Sequence, residues 1–283
     1  MTILLTNDDG YQSEGITILE TVLAEAGHDV WVCAPSDQRS AQSHAMTLRG
    51  KLRFIRYDAR HYHCGGTPAD CILYGLVGKA IPISPDLVIS GINHGYNAST
   101  DIIYSGTVGA ASEAILRGYR AISISARADK DTGEYPFVEA AAFLAEHLES
   151  FLPFCTPDVL LNINVPPQPN GQWRVGGIGK LEYSDVVERG TSARSTSYDA
   201  SSTKIGLAYG DADVDSNGVG IGDEMTLLLK TDVPPRLVHA ERETDYHLLS
   251  EHYISVTPLV VHPVMDNAVA GELEKLQKGS EVS

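Results

Sequence analysis

Thr2-Ile3-Leu4-Leu5-Thr6-Asn7-Asp8-Asp9-Gly10 is the stretch on which the fold turns. An apolar run of strand length gives way at once to a polar turn. Residues 14–27 then repeat apolar side chains at helical spacing through Ile16, Leu19 and Leu23, with Gly27 as the stop. The same alternation continues outward. Residues 29–34 form a second strand ending at Pro35, and 52–57 a third candidate. Residues 68–79 read as a helix with Thr67 as N-cap and Pro68 in its first turn. Residues 86–90 are a nearly all-apolar strand, followed by a Gly- and Asn-rich loop and a helix over 107–117. Strand 121–125, helix 137–152 and strand 158–165 complete the series. Strands alternating with helices predict an α/β fold with a mostly parallel sheet and helices on both faces. In such sheets ligands bind beyond the carboxyl ends of the strands.

After about residue 166 the character changes. Gly, Ser, Asp and Pro become frequent, and strands are short, as in 173–177 and 225–229. The expected division is therefore a core over 1–166 and a C-terminal extension over 167–283, an antiparallel or oligomerisation arm. Within it, 253–261 restores a strong strand and 264–278 reads as an amphipathic helix.

At 283 residues the chain is long enough for one large α/β domain, and its 43% hydrophobic and 20% charged content is that of a soluble protein. No apolar run approaches the roughly 20 residues of a membrane span. The N-terminus lacks a basic region and turns acidic at once, which reads as mature fold and not as a secretory signal. Cys33, Cys64, Cys71 and Cys155 contain no CxxC pair and read as reduced cysteines of a cytoplasmic protein. A net charge of −16 argues against nucleic-acid polymers and anionic lipid as partners. A small phosphorylated ligand is still admissible, provided a metal ion or a set of backbone N–H groups supplies local positive potential.

Four segments could supply that chemistry. Asn7-Asp8-Asp9-Gly10 follows the first strand, and its paired carboxylates are hard oxygen ligands suited to Mg²⁺, Mn²⁺ or Ca²⁺; the competing reading is a plain Asp-Gly turn. The contiguous carboxylates do not match the DxD of phosphatases with an aspartate nucleophile. Pro35-Ser36-Asp37-Gln38-Arg39-Ser40-Ala41-Gln42-Ser43-His44 leaves the second strand at the same sheet edge. Ser40 could complete a metal's oxygen shell and His44 could meet a leaving group, although taken alone the segment reads as a polar surface loop. Ser90-Gly91-Ile92-Asn93-His94-Gly95-Tyr96-Asn97 offers two side-chain amides, and the spacing does not rank Asn93 above Asn97 as a ligand. Tyr104-Ser105-Gly106-Thr107-Val108-Gly109 runs into a helix whose free N–H groups could seat a phosphate, or Ser105 could simply cap it. It carries no Walker signature, and the first strand leads into no GxGxxG fingerprint. The joint placement of all four at one sheet edge is what points to a site.

The set Asn-Asp-Asp-Gly, Arg-Ser-Ala, Gly-Thr-Pro-Ala-Asp-Cys, Pro-Asp-Leu-Val-Ile-Ser-Gly-Ile-Asn and Tyr-Ser-Gly-Thr-Val-Gly-Ala-Ala resembles the survival protein E (SurE) family. The match is dense to about residue 125 and returns at Leu161-Asn162-Ile163-Asn164-Val165-Pro166, at Thr244-Asp245, and at Tyr253-Ile254-Ser255-Val256-Thr257-Pro258-Leu259. The resemblance implies a Rossmann-like three-layer core, with a C-terminal extension exchanged between subunits of a homodimer or homotetramer. It also implies a metal-dependent 5′-nucleotidase, acting in relatives on 3′-nucleotides and short polyphosphate too. One divalent ion per subunit, Mg²⁺ or Mn²⁺, would be held by Asp8, Asp9, Ser40 and Asn93. Substrate would meet Asn97 and the turn Ser105-Gly106-Thr107, with Asp8 or Asp9 as general base and His44 a candidate for the leaving oxygen. The competing class is a nucleotide sensor without turnover. Residues 185–209 lack the family's Asp-Pro-Arg-Gly stretch; Ser195-Thr196-Ser197-Tyr198-Asp199 stands near its place.

Overall fold

The structure is a computed structural model and describes residues 1–189, 212–214, 220–221, 227–230, 236–238, 243–263 and 269–270. The expected tail helix over 264–278 and most of the divergent segment over 185–209 lie outside those residues. Two compact units result: Met1–Lys180 with His239–Ser283, and Leu181–Val238.

The first unit is built on strands β1 Thr2–Thr6, β2 Asp29–Pro35, β3 Phe54–Arg56, β4 His61–Cys64, β5 Leu87–His94, β6 Ala121–Ala126, β7 Val159–Val165 and β8 Trp173–Val175. After β9 Lys180–Glu182 the second unit contributes β10 Val186–Arg189, β11 Ala212–Val214, β12 Gly220–Ile221, β13 Leu227–Lys230 and β14 Arg236–Val238. The chain then returns to the main sheet with β15 Ile254–Val260. That sheet has nine strands in the order β3-β4-β2-β1-β5-β6-β7-β15-β8. Its neighbours are parallel except for β3 with β4 and β7 with β15. Within the second unit β10 pairs antiparallel with β13, and β11 with β12.

Alternation along the strands explains the layers. Ile3, Leu5 and Ile89 point to one face, where α1 (Glu14–Glu25) and, further along the chain, a helix over Phe137–Phe151 cover them. Leu4, Val88 and Leu160 point to the other, covered by α2 (Pro68–Ile72) and α3 (Gly106–Leu116). The Phe137–Phe151 helix is α4, and Asp245–Ser250 forms α5. Each fully buried Leu or Ile of these two cores, such as Leu19 and Ile72, contributes about 1.5–3 kcal/mol relative to exposure. All four cysteines are buried and free. Among the described residues no helix is long and apolar enough to cross a membrane.

Three elements depart from their expected form. The helix expected over 68–79 is α for Pro68–Ile72 and then widens to a π-turn over Leu73–Val77. Strand β4, His-Tyr-His-Cys, was not expected, because it lacks an apolar run; its backbone pairs in register with Val32–Pro35 and this pairing forms it. Strand β5 does not stop at Ser90 but continues to His94 across a register shift between Ser90 and Asn93. Gly91 permits that passage: its φ is +141°, and a Cβ there would lie 2.1 Å from the Ile124 carbonyl oxygen.

Candidate active site

The turn after β1 is organised by its own residues. Asn7 Nδ2 donates to the Gly10 carbonyl at 2.8 Å and to Ser13 Oγ at 2.7 Å, while Gly10 N–H donates to Asn7 Oδ1 at 3.2 Å. Asn7 is therefore a structural brace, and it leaves Asp8 and Asp9 at the carboxyl edge of the sheet. Thr107 Oγ1 donates to Asp8 Oδ1 at 2.5 Å, tying the carboxylate to the first turn of α3. Gly106 completes the fit, since a Cβ there would stand 3.1 Å from Asp8 Oδ2. Burial, reinforced by the charge of Asp9, pushes Asp8 up to about 6 against the opposing Thr107 hydrogen bond.

Asp9 is held from the other side. Its Oδ2 accepts from the His94 backbone N–H at 3.1 Å and lies 2.9 Å from His94 Nδ1. The hydrogen bond to Asp9 holds His94 above the usual histidine range despite partial burial. The His94 ring is fixed edge-on against Tyr135 and Phe137, at centroid distances of 4.8 and 5.0 Å. Each carboxylate thus uses one oxygen for positioning. Among the described residues no side-chain hydrogen bond engages Asp8 Oδ2 or Asp9 Oδ1.

The other oxygen donors arrive beside this pair. Arg39 N–H donates to the Asp8 carbonyl at 2.6 Å, which brings the exposed Ser40 next to the turn; Ser40 Oγ accepts from Gln38 Nε2 at 3.0 Å. Asn93 immediately precedes the His94 that grips Asp9. Its Nδ2 donates to the Gly95 carbonyl at 2.9 Å, so its amide oxygen is the atom left for a ligand. Asn97 is buried and clasped through its main chain. Its N–H donates to Asn164 Oδ1 at 2.8 Å, and its carbonyl accepts from Asn162 Nδ2 at 2.7 Å and Asn164 Nδ2 at 3.1 Å. Its side-chain NH₂ donates to Ser125 Oγ at 2.8 Å.

Ser105 is the N-cap of α3, accepting from Val108 N–H at 3.0 Å; the Thr107 backbone N–H turns to the Asp8 carboxylate, which leaves the Gly106 N–H as the open donor of that helix start. His44 is placed differently. Its Nε2 lies 2.7 Å from Oε2 of the fully buried Glu113 on α3, and Arg117 Nε donates to Glu113 Oε1 at 2.7 Å. Burial alone would raise Glu113, but the hydrogen bonds from His44 and Arg117 outweigh it and hold it below the ordinary glutamate value. Its polar contact is thus with the side of α3 and not with the carboxylate pair.

Several supports of this arrangement received no role from the sequence. His94, Thr107 as a partner of Asp8, and Glu113 become visible when distant segments meet. Asn162 and Asn164 carried a signal, because two amides at alternate positions of an apolar strand share one face. Asp245 is fully buried and accepts from the Ser99 N–H at 2.6 Å, Ser99 Oγ at 2.5 Å and Tyr246 N–H at 2.7 Å. It thereby pins the loop between Asn97 and Ser105.

The arrangement is one of oxygen donors beside a helix start, in a chain with clear relatives among known proteins. The family model described as "Survival protein SurE" matches residues 3–185. A protein of Desulfitobacterium hafniense named 5′-nucleotidase SurE is 37% identical over 265 residues, covering 92% of this chain and 90% of its own length. A Brucella canis protein of the same name is 39% identical over 204 residues, 70% of this chain and 80% of its own. The crystal structure of the Sure protein from Aquifex aeolicus superposes with a TM-score of 0.72 at 29% identity, covering 98% of this chain and 100% of that one. The chain belongs to the SurE family.

Proposed function

We propose that this protein is a divalent-metal-dependent phosphomonoesterase that hydrolyses nucleoside 5′-monophosphates to nucleoside and phosphate. The observation that carries the reading is the placement of Asp8 against the N-terminus of α3, with the adjacent carboxylate of Asp9 held beside it by His94. The 5′-nucleotidase names of the relatives support the substrate class.

The donor set fits a hard cation. Asp8 is buried with the half-buried Asp9 beside it, and burial lifts Asp8 to about 6, which marks a site short of positive charge. Asp8, Asp9, Ser40 and Asn93 would hold Mg²⁺ or Mn²⁺ through oxygen, as such ions prefer, with Ca²⁺ a further fit. When bound, a cation of this kind supplies Lewis-acid neutralisation of phosphoryl charge and acidifies a water.

The protein's own residues do the rest. Asp8 or Asp9 takes the proton of the attacking water, each being held in one orientation by Thr107 or His94. The Gly106 N–H, the Ser105 hydroxyl and the positive end of α3 stabilise the nonbridging oxygens. Thr107 gives both its hydroxyl and its backbone N–H to Asp8, so it serves the phosphate by fixing that carboxylate at the helix start. Asn97 orients the phosphate, and His44, anchored by Glu113, is the candidate to protonate the leaving oxygen.

Further features belong to the same proposal. The core over 1–166 would carry the chemistry, and the extension over 167–283 would join copies of the chain into a homodimer or homotetramer. Val187 and Leu229, register partners in β10 and β13, are both exposed, which supports an apolar contact there. The four free cysteines support a cytoplasmic site of action, and the acidic charge speaks against a nucleic-acid polymer or an anionic membrane as partner.

Phosphate release should be measured on a panel of nucleoside 5′- and 3′-monophosphates and polyphosphate, across a series of metals. Turnover of 5′-monophosphates with Mn²⁺ or Mg²⁺ is expected. Nucleotide binding with no phosphate release under any metal would mean a sensor instead.

A further inference from the structure

A cavity of about 490 Å³ lies in the first unit, beyond the carboxyl ends of β5, β6 and β7 and outside the carboxylate site. Tyr96, Arg127 and Tyr246 line it, together with Lys130, Asp129 and Asp131. Its size is that of a small-molecule site, for which roughly 300–1,000 Å³ is usual. The Tyr96 and Tyr246 rings meet edge to face, with centroids 6.2 Å apart and planes at 84°. The Arg127 guanidinium lies 5.2 Å from the Tyr96 centroid, and its Nη1 donates to the Tyr246 hydroxyl at 3.3 Å.

The cavity adjoins the phosphate site through the backbone. Tyr96 is the residue before Asn97, so their Cα atoms are about 3.8 Å apart. Arg127 follows Ala126, whose carbonyl accepts from Gly95 N–H at 2.8 Å. A ligand group joined to a phosphate at Asn97 has this cavity as its neighbour along the sheet edge.

Charge decides what kind of group it takes. Arg127 and Lys130 are balanced by Asp129 and Asp131, and Arg127 is already engaged with the Tyr96 ring. Asp129 is occupied as well, accepting from Asp131 N–H at 2.8 Å and from Gln168 Nε2 at 2.7 Å. Such a lining offers no surplus of positive charge to a second phosphate or a polyphosphate chain. It offers aromatic faces, a guanidinium plane and hydroxyl donors, which suit an uncharged heteroaromatic ring. We infer that this cavity is the nucleoside subsite, taking the base of the substrate against Tyr96, Tyr246 and Arg127. The inference rests on the phosphomonoesterase reading.

The test compares wild type, Tyr246→Ala and Tyr246→Phe in the full chain. The readout is kcat/KM for AMP divided by kcat/KM for methyl phosphate, which has no base. In Tyr246→Ala that ratio should fall at least tenfold, about 1.4 kcal/mol, mainly through KM for AMP. Tyr246→Phe, which keeps the ring, should restore it. Adenosine, titrated calorimetrically with no phosphate present, should bind wild type and Tyr246→Phe but not Tyr246→Ala. An unchanged ratio in Tyr246→Ala, or equal adenosine binding by all three proteins, overturns the subsite. If wild type hydrolyses neither ester, the phosphomonoesterase reading fails, and the adenosine titration still decides the cavity.

Discussion

Asp8 and Asp9 are neighbours in sequence, yet their side chains are fixed by residues far along the chain. Thr107 holds Asp8 across a separation of 99 positions, and His94 holds Asp9 across 85. Asp9→Asn keeps the shape of the side chain and its hydrogen bond to the His94 N–H, but removes the charge proposed to serve as ligand and base. Turnover of AMP should drop by about 10²- to 10⁴-fold, with the circular dichroism spectrum unchanged. Retention of full activity would remove Asp9 from the chemistry. The pair was legible in the sequence because it follows a strand directly. Its partners were not, since no local pattern marks a threonine or histidine that closes a long-range contact. Glu113 is a similar case, a buried acid inside a helix that gave no signal until His44 and Arg117 met it. Its folded value lies below its unfolded one, so its stabilisation is fully present above the ordinary glutamate value of about 4.3 and is lost as pH falls through the folded value. Urea midpoints at neutral and acid pH should therefore fall less on acidification in Glu113→Gln than in wild type. An equal fall in both would mean that Glu113 is not a source of the acid sensitivity.

Among the elements, long periodic segments were readable and pairing-dependent ones were not. Helix α1 has its buried residues at Ile16, Leu19 and Leu23, the positions that the spacing marks. Strand β4 exists because β2 presents an open edge to it, and β5 outruns its apolar stretch because Gly91 lets it pass close to β6. The loop from Asn97 to Ser105 has no periodicity at all. Its shape comes from β7, through Asn162 and Asn164, and from Asp245 at the start of α5. Asp245→Ala leaves the Ser99 N–H and hydroxyl buried without their acceptor. It should cost about 2–3 kcal/mol of stability, read as a lower urea midpoint. Because the loop carries Asn97 towards the helix start, KM for a nucleoside monophosphate should rise as well. Asp245→Asn retains one acceptor oxygen and should lie between the two. A stability loss with unchanged KM would make the clasp purely structural.

For the molecule as a whole, the acidic surface sets the terms. A net charge of −16 repels a phosphate dianion, so binding depends on a local device within the sheet edge. The start of α3 supplies part of it, through N–H groups and the helix dipole. The two carboxylates oppose it unless a cation neutralises them, so in the proposed reading metal would be the condition for substrate binding as well as for chemistry. Phosphate release from AMP by the purified protein is therefore to be followed through one cycle: with Mn²⁺ or Mg²⁺, after excess chelator and dialysis, and after metal is restored. The account predicts turnover, its loss by at least about 10²-fold, and its recovery. Undiminished phosphate release in the chelated protein would contradict it.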